Sequence, residues 1–559
     1  MFKKDSSDFL KGYRIDFWSF ITLISLIFFG MFLIYPVSRL VINAFQTKDA
    51  VGVFSFGNFV KFFSRAYYRS AMLNSIKVTF VATILTIVIG VTLAYITTNF
   101  KIKGVKAINI MIIISMFSPP FIGAYFWILM LGRAGVITTF FKNVFGVTLP
   151  TIYGFNGILL VFTLKLFPFI YMYTKGALKK VDKALGEAAE SLGDHGLRKV
   201  LKVSLPLVTP TVLAGAAIVF LRAFADYGTP RLIGEGYTVM PVLVYNEWLS
   251  ETGSNAYFAS AIAFIMIFLA IVVFILQMHF SRKNYNMSML NPPEPKKLNG
   301  AGNLFAHIFV YFITILSVLP TVYITIISFK NFTGGSIMVE GFSFNNYVLA
   351  WAKAKDSILN TFKFGIIAIV IIVLLGTMFA YVTVRKKNFF SRFLDACIQL
   401  PYVIPGTIFG LMLLISYNTG FLVLSGSAAL IIISYVIRRM PYTVRSSAAI
   451  LKQINPNIEE ASLSLGYSSM PTFFKVTMPA MIPGIVSGAI LSWITLIQEL
   501  SSTLMLYTSK TSTMSIAIFQ EVNRSAYGTA SALSTILTIT MVTSLLLFFK
   551  LTGNADLDM

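Results

Sequence analysis

Residues 186–210 read GEAAESLGDHGLRKVLKVSLPLVTP, and residues 459–483 read EEASLSLGYSSMPTFFKVTMPAMIP. They are the centre of a longer gapless match, Tyr173 to Ala216 laid on Ser446 to Ala489, at a constant spacing of 273 (460 − 187). Glu187 returns as Glu460, Ala188 as Ala461 and Ser191-Leu192-Gly193 as Ser464-Leu465-Gly466. Further on, Lys202-Val203 returns as Lys475-Val476, Pro206 as Pro479, Pro210 as Pro483 and Gly215-Ala216 as Gly488-Ala489. Each copy is a polar insertion between long apolar runs. Glu187, Ala188, Ala189 and Leu192 suit a helix, Gly193 permits the φ > 0 that ends one, and Pro206 suits the first turn of the next. The pattern predicts a short helix, a glycine stop and a second short helix leading into a membrane span. A lone Glu-Ala-Ala is most often an ordinary amphipathic helix, so the weight lies in its duplication at fixed register.

The surrounding composition sets the class. Hydrophobic residues make up 56% and charged residues only 12%, with a mean hydropathy of +0.78. A soluble globule carries nearer ~25% charged residues, so the chain is a polytopic membrane protein. One cysteine, Cys397, excludes an internal disulfide framework, and its apolar setting predicts a buried bystander. Lys3, Lys4, Lys11 and Arg14 precede an apolar run like a secretory signal, but that run continues to about Ala44 with no small-x-small cleavage pattern, which predicts an uncleaved first span.

A span needs ~20 predominantly apolar residues. That criterion predicts an all-α fold with about 12 transmembrane helices in two parallel repeats, six to each. The first repeat supplies Phe17 to Asn43, Asn74 to Thr97, Ile108 to Leu131, Gly154 to Tyr173, Leu205 to Tyr227 and Tyr257 to His279. The second supplies Leu304 to Phe329, Leu359 to Val384, Phe393 to Tyr417, Ser427 to Met440, Pro483 to Leu506 and Thr529 to Lys550. The domains follow: a first repeat over 1–283 with its loop near 178–206, a polar, proline-rich linker over 284–303, and a second repeat over 304–559 with its loop near 451–479. Other landmarks recur, among them Phe54-Ser55-Phe56 as Phe342-Ser343-Phe344, Leu73-Asn74 as Leu359-Asn360 and Pro168 as Pro441. An even number of spans per repeat gives both halves one orientation, related by a pseudo-two-fold along the membrane normal, with the pathway between them.

Charge placement predicts which side is which. With both termini, the linker and both repeated loops in the cytoplasm, most of the 45 Lys and Arg lie on the inner side. The net charge of +23 is then explained by basic segments meeting anionic lipid, with no nucleic acid as partner. The outer loops Gln46 to Leu73 and Lys330 to Ile358, rich in aromatic residues, are candidate landing surfaces for an external partner.

The search for chemistry is mostly negative. No G-x-x-x-x-G-K-[ST] occurs, so the chain lacks a phosphate cradle and energy must come from another subunit or an ion gradient. No H-E-x-x-H or C-x-x-C occurs, and His195, His279 and His307 all fall at the inner face of this topology. Charges within spans are more telling, because an intramembrane ionisable group is costly. Arg222 and Asp226 lie four apart on one helical face, and Asp226 plus 273 is Glu499, so both repeats place an acid at one register. Counting ~1.5 Å per residue from Pro206 puts Asp226 about 30 Å from the inner end, near the outer mouth. Arg222, Asp226, Tyr227 and Glu499 are therefore the candidate pathway residues; the structural alternative is that Arg222 and Asp226 neutralise each other while Glu499 sits among headgroups. Arg438 and Arg439 are expected to anchor the inner face, and Lys165 has no evident role.

Glu-Ala-Ala, glycine three residues on, then Val-x-Leu-Pro resembles the EAA loop of ABC-importer permeases; the second copy, Glu460-Ala461-Ser462, Gly466 and Val476-x-Met478-Pro479, is looser. In that family the loop is the coupling helix that fits a groove of the ATPase. The resemblance assigns ATPase coupling to Glu187, Ala188, Ala189, Leu192 and Gly193 and to Glu460, Ala461, Ser462, Leu465 and Gly466. Two loops on one chain imply a homodimer of ATP-binding subunits, which would hold ATP and Mg, with no cofactor on this chain. Asp226-Tyr227-Gly228-Thr229-Pro230, Tyr245-Asn246-Glu247-Trp248 and Gln498-Glu499-Leu500-Ser501-Ser502-Thr503 resemble fused iron(III) importer permeases over nearly the whole chain. That group works with an extracytoplasmic substrate-binding protein in the bacterial plasma membrane. Permeases for thiamine and aminoethylphosphonate can share the fused arrangement and stay open as alternatives, as do a permease for another small solute and an ion-driven secondary transporter. As a hard cation, iron(III) would favour Asp226, Tyr227 and Glu499 as a weak transit site, whereas Arg222 would suit an anion.

Overall fold

The computed structural model describes residues 17–49, 51–249, 255–281, 294–333, 337–420 and 422–552. The basic residues Lys3, Lys4, Lys11 and Arg14 and the first half of the expected linker, up to residue 293, lie outside them. With no water in a bilayer core, the backbone must satisfy itself, and the long apolar runs do so as helices. In the first repeat these are α1 (Phe17–Ala44, with one π turn), α2 (Ala66–Asn99), α3 (Val105–Phe117), α4 (Pro120–Leu131), α5 (Phe155–Leu178), the short α6 (Lys183–Ser191), α7 (Leu205–Phe224), the short α8 (Gly228–Ile233), α9 (Met240–Trp248) and α10 (Ala256–Ser281). The second repeat has α11 (Gly300–Ser328), α12 (Asn345–Arg385), α13 (Phe389–Val403), α14 (Gly406–Tyr417), α15 (Ala428–Gln453), the short α16 (Asn457–Ser464), α17 (Met478–Ile497), α18 (Thr503–Leu506), α19 (Met514–Asn523) and α20 (Tyr527–Thr552).

Ten helices among the described residues are long and apolar enough to cross a membrane, and a bent pair makes an eleventh. The difference from the expected twelve lies in the second repeat, where one span is a bent pair and α15 is not among the ten; the first repeat keeps a third span, Phe121–Phe145, that begins after a break. The expected third span of each repeat is not one helix. Ser118, with ψ 145°, precedes Pro119-Pro120 and separates α3 from α4, and Pro405 separates α13 from α14, which are bent by 114°. A proline has no N–H to donate and pushes the residue before it out of helical geometry. The expected span Ser427 to Met440 is instead part of the longer α15, which carries Arg438 and Arg439 near its middle beside buried Tyr435, Ile437 and Met440. The two arginines are therefore well inside the helix, not at an anchoring end.

The chain clusters into two units. One gathers 17–37, 365–402 and 432–496. Here the start of α1 packs on the second repeat: Trp18 stacks on Tyr381 at 3.9 Å and meets Phe473 edge-on at 4.9 Å, and Phe29 lies 5.9 Å from Phe379. The other gathers 38–364, 403–431 and 497–552. Here α2 and α5 pack closely because Gly90 leaves no Cβ against Ile170, where one would sit 2.7 Å away. α11 lies against α3, α4 and α20, with Tyr323 and Phe126 5.4 Å apart. Each repeat's first span thus packs upon the other repeat.

Outside the spans, the recurring Phe-Ser-Phe motif builds the same device twice. Ser55 N–H donates to Phe45 O at 2.8 Å and Ser343 N–H to Phe329 O at 2.7 Å. Asn58 Nδ2 donates to Gln46 O and Asn346 Nδ2 to Ser328 O and Lys330 O, closing the end of each first span. Phe54, Phe56, Phe342 and Phe344 stand exposed on these loops, and the second repeat adds a hairpin, β1 (Lys330–Thr333) with β2 (Ile337–Phe342).

Candidate functional site

The two repeated segments fold alike. In the first, Asp182 caps α6 by accepting from Ala184 N–H at 2.9 Å. The helix ends at Gly193, whose φ of +87° only glycine adopts readily, with Asp194 N–H returning to Ala189 O at 2.9 Å. In the second, α16 ends at Gly466, φ +90°, with Tyr467 N–H returning to Ser462 O at 3.2 Å. A four-residue helix follows each, then a π turn over Val200–Ser204 and over Phe473–Thr477, again 273 apart (473 − 200), and then α7 and α17. π turns concentrate at functional sites.

What the segments present is as regular as their backbone. Leu192 is 86% exposed and Leu465 80% exposed. Leu185 and Ile458, also at one register, are 48% and 52% exposed. Glu187, Ala188, Glu460 and Ala461 are exposed with them, while Ala189 and Ser462 turn inward, Ser462 Oγ lying 3.0 Å from Thr472 Oγ1. Two short helices therefore each offer two apolar side chains beside a glutamate, with open space around the following glycine. The same two apolar positions are thus left exposed in both copies.

The anchors beneath differ. Glu190 accepts from Lys199 Nζ at 2.8 Å and Lys296 Nζ at 3.4 Å, and these ammonium groups, Lys199 first, hold its carboxyl below the usual range. α16 is held by Glu459, which accepts from Arg385 at 2.9 Å and from Tyr381 Oη at 2.8 Å. Glu459 shares its register with Gly186, where a Cβ would meet Lys199 Nζ at 2.8 Å. Sequence comparison within the chain passes over this anchor, since its signal is a difference between the copies.

At the far end of α7 and α17, the two acids do one structural job. Asp226 accepts from Thr229 N–H and Thr229 Oγ1, each at 3.1 Å; Glu499 accepts from Ser502 N–H and Ser502 Oγ, each at 3.1 Å. Each carboxylate caps the short helix that follows, α8 or α18, satisfying N–H groups that a helix start leaves open. The hydroxyl three residues after each acid was the available signal. Tyr227 is buried against Tyr245 and Phe519, at 4.9 and 5.9 Å between ring centroids. Arg222 is exposed, its guanidinium 4.3 Å from the Phe169 ring centroid. Among the described residues no three His, Cys, Asp or Glu side chains are grouped to hold a metal ion.

The two capped turns meet each other. A Cβ at Gly228 would sit 3.0 Å from Leu500 Cδ2 and 3.3 Å from Phe121 Cβ, so α8 and α4 of the first repeat close upon the turn after Glu499. In the second repeat, Gly410 of α14 fits as tightly, a Cβ there lying 2.7 Å from Ser502 O. Asp226, Tyr227 and Glu499 thus lie on or next to a contact between the repeats' equivalent turns, whereas Arg222 lies one helical turn before Asp226, over Phe169.

Broken third spans, duplicated exposed loops and paired capped turns describe a two-repeat polytopic membrane protein. Residues 86–284 and 372–554 each match the family of binding-protein-dependent transport system inner membrane components. The chain belongs to that family: it is the multi-pass inner-membrane permease of an ABC importer, with the family domain present twice, and ATP hydrolysis falls to a separate subunit. It is 26% identical to the "Ferric transport system permease protein FbpB" of Actinobacillus pleuropneumoniae over 98% of this chain and 79% of that one. It is 26% identical to the "Putative ferric transport system permease protein FbpB 1" of Haemophilus influenzae over 90% of this chain and 79% of that one. The "Putative 2-aminoethylphosphonate transport system permease protein PhnU" of Salmonella typhimurium is 26% identical over 45% of this chain and 88% of its own length.

Proposed function

We propose that the chain imports iron(III) by alternating access, with α6 and α16 as cytoplasmic coupling helices seated in the two grooves of an ATPase homodimer. An extracytoplasmic binding protein delivers the cargo, both termini lie inside, and the repeats span 1–283 and 304–559 with 284–303 as a cytoplasmic linker. ATP closes the ATPase dimer and draws the coupling helices together; α7 and α17, which follow them in the chain, move, and the contact at Gly228 and Leu500 opens outward. Hydrolysis restores the inward state. The observation that carries the coupling assignment is the pair Leu192 and Leu465, exposed at one register beyond Glu187 and Glu460. Support for iron comes from the two ferric relatives matched over nearly the full chain.

Asp226, Tyr227 and Glu499 become available to a cation only once the capped turns separate, which suits a pathway that must release what it binds. A second reading, an anionic cargo such as a phosphonate, is favoured by exposed Arg222. Uptake of radiolabelled iron(III) and of aminoethylphosphonate, with and without this chain, separates the two. Glu187→Arg and Gly193→Pro are expected to leave the chain inserted but to abolish ATPase pull-down and uptake. Unchanged pull-down and uptake in both overturn the coupling assignment.

A further inference from the structure

The break in the third span of the first repeat leaves carbonyl groups unpaired, since the last four C=O groups of a helix have no partner within it. Lys165, from the middle of α5, answers them. Its Nζ donates to Ser115 O at 2.8 Å, Met116 O at 3.0 Å, Ser118 Oγ at 3.0 Å and Ser118 O. A cation at a helix C-terminus gains from both the carbonyls and the helix dipole. Broken helices in transport proteins use such carbonyl ends to hold cations. Here the cation is a side chain of the chain itself.

What lies on either side of this contact gives it a purpose. α5 runs on through Leu178 into α6, the first coupling helix, five residues later (183 − 178). Across the break, Pro120 opens α4, and Phe121 at its start packs against Gly228, which touches Leu500. Lys165 is thus a charged link on a path that leads from the coupling helix, along α5, to the break, and through α4 to the closure, with Arg222 and Asp226 in electrostatic reach of it. The same register carries a cation in the second repeat: 165 plus 273 is 438, and Arg438 occupies that position in α15, while Pro119 and Pro405 break the third span of both repeats.

We propose that Lys165 is a positioning residue that fastens α5 to the broken third span, so that movement begun at α6 is passed to the closure at Gly228 and Leu500. This rests on the alternating-access reading above. Four acceptor oxygens of a broken helix end share the three N–H donors of one ammonium group, which holds direction as well as distance, and an ammonium inside a membrane protein is kept only where its partners are specific.

The test reads the closure directly. Gly228→Cys with Leu500→Cys, in a Cys397→Ser background, reports contact by disulfide yield in the complex with its ATPase and binding protein in lipid nanodiscs. With Lys165 intact, trapping with MgATP and vanadate is expected to lower the yield by roughly tenfold, as a shifted population requires. With Lys165→Met the yield is expected to stay at its resting level while ATP hydrolysis continues. A full vanadate response in Lys165→Met overturns the proposal. If that variant does not insert, Lys165→Gln, a shorter uncharged donor, is read in its place: a weakened response supports the link and a full one overturns it. Failure of both variants to insert assigns Lys165 to folding alone and overturns it too. Absence of a vanadate response with Lys165 intact instead refutes alternating access at this closure.

Discussion

Truncating the two exposed leucines separates docking from folding. Leu192→Ala and Leu465→Ala each remove three side-chain carbons that are 86% and 80% exposed in the free chain, so neither should change the chain's own stability by more than about 0.5 kcal/mol. In a groove of the ATPase the same atoms would be buried, and their loss removes about 2 kcal/mol at each site. That is roughly 30-fold in Kd for one variant and, because the two segments engage separate grooves, roughly 1000-fold for both together. The assay is equilibrium binding of the ATPase dimer to the purified chain in nanodiscs, with thermal unfolding as the control. Leu185→Ala and Ile458→Ala, about half exposed, should show smaller losses in the same direction. An unchanged Kd in both Leu192→Ala and Leu465→Ala, or a loss of binding that merely follows a loss of thermal stability, refutes the reasoning.

Arg385→Met leaves Glu459 charged, largely buried and short of its cation, and is expected to destabilise the unit containing α16 by about 3 kcal/mol, seen as a lower unfolding temperature in detergent. Gly410→Ala drives a Cβ against Met505 Cβ and Ser502 O, each 2.7 Å away, and should cost about 1–3 kcal/mol by the same measurement. Gly193→Ala, with nothing within 4 Å, costs only its left-handed backbone, about 1 kcal/mol. The lowered pKa of Glu190 sets a pH dependence. Its stabilising contribution is present above the unfolded value of about 4.5 and is lost as pH falls through the lower folded value. Hydrogen exchange at the Gly193 and Asp194 amides, corrected for intrinsic rate, should accelerate only below that range, and Glu190→Gln should abolish the step.

Several features were legible in the residues because their causes are local. Apolar runs must be helical in a bilayer, a glycine that ends a helix needs φ > 0 at one position, and a fixed spacing of 273 exposes duplication without any fold in hand. The same rules located α6, α16 and the acids Asp226 and Glu499. Pro119 and Pro405 were visible too, yet a length count over apolar residues runs straight through them, and the third span was read as unbroken.

Tertiary structure decided what the charges do. Lys165 finds Ser115 and Met116 some 50 residues back along the chain, and Arg385 finds Glu459 at a separation of 74. Trp18 finds Tyr381 at a separation of 363 (381 − 18), beyond the whole first repeat. No periodicity encodes such pairs, because the free energy of a buried charge depends on which carbonyls and carboxylates the fold carries to it. The sequence alone thus determined a duplicated membrane permease with two protruding loops; only the packed chain decided that its first spans lie upon the opposite repeat and that a lysine closes the broken helix.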